Sequence, residues 1–112
     1  MAAVAPLFGI VIPGRPVITD FQVLDSTKAI TLVESPQMVS ELTFFLLPTT
    51  TIPPGYGAIL YYSLPPFQEW SLIGSIDLSK PSGAFRTGWV ANEEIQSCPV
   101  LQLGVSLEPL ET

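Results

Sequence analysis

The chain holds 112 residues, with four Lys or Arg against ten Asp or Glu, a formal charge of −6, 12% charged residues and no histidine. That balance leaves no basic stripe for a nucleic-acid backbone, and the missing imidazole removes histidine triads, imidazole general bases and most zinc sites. A hydrophobic share of 47% excludes disorder, the length suits one domain over residues 1–112, and Pro48, Pro53 and Pro54 interrupt the longest candidate for a bilayer span.

Twelve prolines and eight glycines punctuate the chain too often for ordinary helices, so short strands joined by turns are expected. The apolar start lacks a charged leading region and breaks at Pro6 and Pro13, unlike a secretory signal. It reads as a tail entering a first strand at 7–12. Strands at 16–19 and 22–24 follow Pro13-Gly14, with Asp20 and Asp25 placed to cap turns through their carboxylates. A strand at 29–34 ends at Ser35-Pro36.

The strand at 41–47 places Leu42, Phe44 and Leu46 on one face and Phe45 and Leu47 on the other. The strand at 57–63 likewise backs Leu60 and Tyr62 with Ile59 and Tyr61. Both faces of these strands need apolar company, either from a loop or the N-terminal tail or from a partner. No charged residue lies between Glu41 and Glu69, which makes this the stretch from which an apolar binding surface would draw. Thr49-Thr50-Thr51 is a β-branched run before a proline turn.

Trp70, Leu72, Gly74 and Ile76 alternate along a strand at 70–76, which predicts an inward-facing Trp70 packed in the core, with stacking on a ligand as the alternative. A strand at 83–87 precedes a loop carrying Trp89, a position that suits either recognition or capping of the sandwich. In the last strand, 100–108, Leu101, Leu103, Val105 and Leu107 alternate with Gln102, Gly104 and Ser106, so one face is buried. The fold class expected is all-β, a sandwich of jelly-roll type with eight or nine short antiparallel strands.

Chemistry is sparse. Glu93-Glu94 reads as a solvated loop, because neighbouring side chains diverge and no calcium-loop spacing surrounds them. Gly55-Tyr56-Gly57 lacks the third glycine and the following helix of a phosphate cradle. Cys98 stands alone, which suits a buried thiol in a reducing compartment. No catalytic residue, metal or cofactor is expected, and an enzyme is the least favoured class.

Several pieces, read in order, resemble the N-terminal domain of the Hikeshi family. They are Phe8-Gly9 with Gly14-Arg15-Pro16-Val17, Pro54-Gly55-Tyr56-Gly57 leading to Tyr61-Tyr62-Ser63, Trp70-Ser71-Leu72-Ile73-Gly74, Lys80-Pro81-Ser82 with Phe85, and Gln102 through Glu108. The resemblance runs from Leu7 to about Glu108. It implies a β-rich half whose helical C-terminal partner half is absent, and a nuclear import carrier for heat-shock protein 70 chaperones that binds the phenylalanine-glycine repeats of nucleoporins. It further implies shuttling between cytosol and nucleus and a homodimer that draws on the C-terminal region. The loop 91–97 is short where animal members resemble one another in a longer, aromatic-containing loop, so any contact from that loop is not carried over.

Aromatic character and placement on loops or two-faced strands nominate Phe45, Tyr56, Tyr61, Phe67 and Trp89 as repeat contacts. Two other classes stay open. One is a carbohydrate- or ligand-binding jelly roll in which Trp89 and Tyr61 stack on sugar rings. The other is an oligomerisation module that buries the two-faced strands against another copy.

Overall fold

Strand-forming segments and turn chemistry divide the chain as the composition suggests. The computed structural model describes residues 8–47 and 52–110; Leu7, the apolar tail before it and the Thr49-Thr50-Thr51 run lie outside them. Eight strands are present among the described residues: β1 Phe8–Val11, β2 Gln22–Asp25, β3 Lys28–Glu34, β4 Glu41–Leu46, β5 Tyr56–Ser63, β6 Ser71–Asp77, β7 Ser82–Arg86 and β8 Val100–Pro109. The expected strand at 16–19 reduces to a single bridge between Ile10 and Ile18, since Pro16 has no N–H to give a ladder.

The strands form two antiparallel sheets, β1-β4-β7 and β2-β3-β8-β5-β6. Only the hairpins β2–β3 and β5–β6 stay within one sheet; every other connection crosses to the opposite one. The result is an all-β sandwich. Its turns have identifiable causes. Asp25 accepts hydrogen bonds from the Thr27 N–H and hydroxyl at 2.7 and 2.9 Å, and Asp77 does the same for Ser79 at 2.8 and 2.6 Å, each carboxylate standing in for a backbone acceptor. Gly55 turns the chain into β5 at φ 82°.

The alternation read from the sequence fills the space between the sheets. Ile10, Leu42 and Phe44 from the smaller sheet meet Val33, Leu60, Ile76, Leu101 and Leu103 from the larger one, all buried. Phe8 stacks edge-on against Phe44 at 5.9 Å, and Phe85 occupies the room left by the missing side chain of Gly74. Burial of each such large side chain contributes about 1.5–3 kcal/mol.

One end of the sandwich is closed by short turns. Gly88, at φ 72°, starts a 3-10 turn Trp89–Ala91, and helix α1, Glu93–Gln96, follows. Asn92 caps α1 by accepting from the Glu94 and Ile95 N–H groups. Glu93 and Glu94, expected in a loop, stand exposed in its first turn.

Candidate functional site

Strand β8 lies at the centre of the five-stranded sheet, and its outward residue Gly104 is paired with Ile30 of β3 on one side and Tyr61 of β5 on the other. With no Cβ at this point the sheet surface dips. Leu24, Ile30, Tyr61 and Trp70 wall the dip, and Lys28, Ser106 and Glu108 give its rim a polar edge. The resulting groove has a volume of about 340 Å³, near the lower end of the range of roughly 300–1,000 Å³ seen for small-ligand sites. That is ample room for an aromatic or branched aliphatic side chain.

Trp70 is the part of the groove that sequence alternation places wrongly. Expected in the core, it is 45% exposed and its ring lies over Gly104, where an added Cβ would come within 2.7 Å of it. The cause is a bulge: Leu60 pairs with Gly74 but Tyr61 pairs with Leu72, so Ile73 is an extra residue on β6. One added residue reverses the side-chain parity of a strand. Gly74 and Ile76 therefore point into the sandwich while Leu72 and Trp70 point out.

The polar edge is organised around Tyr61. Its hydroxyl donates to Glu108 Oε2 at 2.9 Å. Partial burial, then the hydrogen bond to Glu108 and its negative charge, push the phenol above its ordinary value, so Tyr61 stays neutral and donating through the physiological range. In the adjoining β2–β3 turn, hydrogen bonds from the Thr27 N–H and hydroxyl hold the Asp25 carboxyl below the usual range, with the Lys28 charge adding to them. The groove can hold an apolar side chain and offer hydrogen-bond acceptors beside it.

The other nominated residues do not share this concavity. Phe45 lies on the outer face of the opposite sheet, its ring over Gly9. Tyr56 starts β5 and packs against the core. Phe67 sits half-buried in a turn at φ 65°, its N–H donating to the Leu64 carbonyl at 2.6 Å, beside a polar cleft of about 390 Å³ that includes Tyr62, Glu69 and Glu94. Trp89 is 0% exposed and packs edge-on against Tyr62 at 5.5 Å. It caps the sandwich and cannot touch a partner, which corrects its place among the contact residues. Of the five, only Tyr61 lines the groove. Leu24, Ile30 and Trp70 come from outside the uncharged stretch. An outward glycine in the middle of β8 is the one sequence signal for a surface hollow.

Among the described residues no helix is long and apolar enough to cross a membrane, and no group of three His, Cys, Asp or Glu is placed to hold a metal ion.

Residues 11–112 match the family model described as Hikeshi-like, N-terminal domain. The chain is 33% identical to Protein Hikeshi of Danio rerio over 118 residues, covering 93% of this chain and 60% of that protein. It is 32% identical to the Protein OPI10 homolog of Schizosaccharomyces pombe over 110 residues, covering 93% and 54%. Protein Hikeshi of Homo sapiens is 26% identical over 120 residues, covering 95% and 61%. The chain thus spans little more than half the length of these relatives. Matched over nearly all of its residues by the family model, the chain belongs to the Hikeshi-like family through its N-terminal domain.

Proposed function

We propose that this domain is a non-enzymatic carrier module that binds phenylalanine-glycine repeats of nucleoporins and so helps heat-shock protein 70 chaperones pass from cytosol to nucleus. The observation that carries the reading is the groove at Gly104, which has room for an aromatic ring and is walled by Tyr61 and Trp70. A shallow site of this kind binds one repeat weakly. Many weak contacts exchanged quickly suit passage through a repeat mesh. Family membership supports the carrier role. Dimer formation and chaperone binding belong to the same proposal, with the C-terminal region of longer relatives contributing to the dimer. The sugar-binding alternative loses one of its two stacking platforms, because Trp89 is buried.

The test is titration of a phenylalanine-glycine repeat peptide into the wild-type chain and the variants Trp70→Ala and Tyr61→Ala. Each variant should bind about tenfold more weakly, a loss of about 1.4 kcal/mol, while circular dichroism stays that of the wild type. Unchanged affinity in both folded variants would overturn the proposal.

A further inference from the structure

We propose that the polar cleft at the closed end of the sandwich, between the β5–β6 connection and α1, is a seat for an arginine side chain of a partner polypeptide. It shares no lining residue with the groove at Gly104, so it stands apart from the aromatic reading of that groove.

The walls supply the two things a guanidinium needs. Tyr62 with Pro65 and Pro66 gives apolar surface, and two carboxylates line the same space, Glu69 from the β5–β6 connection and Glu94 from α1. A guanidinium stacks on an aromatic face while its fork of N–H donors engages carboxylates. Both acidic residues stand on pinned backbone. The Ser63 hydroxyl donates to the Glu69 carbonyl at 2.6 Å, and Asn92 Oδ1 accepts from the Glu94 N–H at 2.9 Å. The cleft is thus formed before a ligand arrives, and its volume of about 390 Å³ lies within the range of small-ligand sites.

Its charge is answered from outside. No Lys or Arg lines the cleft, and the chain's four cations are engaged elsewhere. Lys28 stands opposite Asp25, Arg86 opposite Glu41 and Lys80 opposite Asp77, while Arg15 donates to the Glu34 and Ser35 carbonyls. A metal ion suits the cleft poorly, because two carboxylates leave a hard cation short of ligands and no third acidic, His or Cys side chain joins them among the described residues. An organic cation on an apolar stem uses Tyr62 and the prolines as well as the charge.

Amide chemical-shift mapping on the full chain tests this with the capped peptide Gly-Ser-Arg-Ser-Gly and its citrulline counterpart, which keeps the shape and loses the charge. The arginine peptide should move the amides of Tyr62, Gln68, Glu69 and Glu94 together, with a Kd of about 1 mM, and the citrulline peptide should leave them in place. Glu69→Gln and Glu94→Gln, both at exposed positions, should each weaken binding about two- to fivefold, and high salt should weaken it further. Equal binding of the two peptides, shifts spread over acidic residues outside the cleft, or unchanged affinity in both variants overturns the proposal. A lysine peptide that binds as tightly overturns the choice of arginine.

Discussion

The outer faces of the two sheets solve one problem in opposite ways. Each has a glycine beneath an aromatic ring, Gly9 under Phe45 and Gly104 under Trp70. Phe45 stands on the strand next to Gly9 and in direct register with it, so its ring settles into the gap. Trp70 comes from just before β6, with β5 between it and β8, and its ring arches across to Gly104. Both rings press about equally close on their glycine; the difference is that Trp70, arriving from two strands away, also lines the groove shared with Tyr61.

That contrast can be broken at graded cost. The largest effect is expected beneath both faces: Trp89→Ala removes a fully buried ring and should lower stability by about 3–5 kcal/mol, read by urea denaturation. Peptide affinity per folded molecule should stay the same. Next come matched substitutions on the faces themselves. Gly104→Leu should displace Trp70 and weaken phenylalanine-glycine peptide binding by about tenfold or more, while Gly9→Leu displaces Phe45 and leaves binding within about twofold. Equal losses in the two variants would show that both faces bind.

The smallest effect concerns the hairpin beside the groove. The Asp25 carboxyl titrates below its ordinary 3.8 in the folded chain, so its contribution to stability is present above that value and is lost as pH falls through the folded value. Asp25→Asn should flatten the acid limb of the stability curve, measured as denaturation midpoints from neutral pH downward, and leave the neutral limb unchanged in slope.

Much of the fold was legible because binary alternation and turn chemistry act locally. Leu42 and Phe44 point inward and Phe45 outward as their spacing requires, and Asp25 caps its turn as a short carboxylate should. The site was legible in part, at Tyr61. Trp70 escaped because the extra residue at Ile73 changes nothing in the composition of its strand, only the parity of what precedes it. At Trp89, where the sequence suited recognition and capping alike, the deciding feature is again a turn. The left-handed Gly88 turns the following residues back over the open end of the core, and no local pattern in the sequence states that direction.

The last strand carries a consequence for how the molecule is made. Strand β8 bridges β3 and β5 at the middle of the larger sheet, yet it comes after both of them, and after all the other described strands, in chain order. Until it emerges during synthesis, two hydrogen-bonding edges stand open and two hairpins wait unjoined, a topology of distant pairings that folds slowly. Gly104 arrives with it, so the groove at Tyr61 exists only once β8 has joined the sheet.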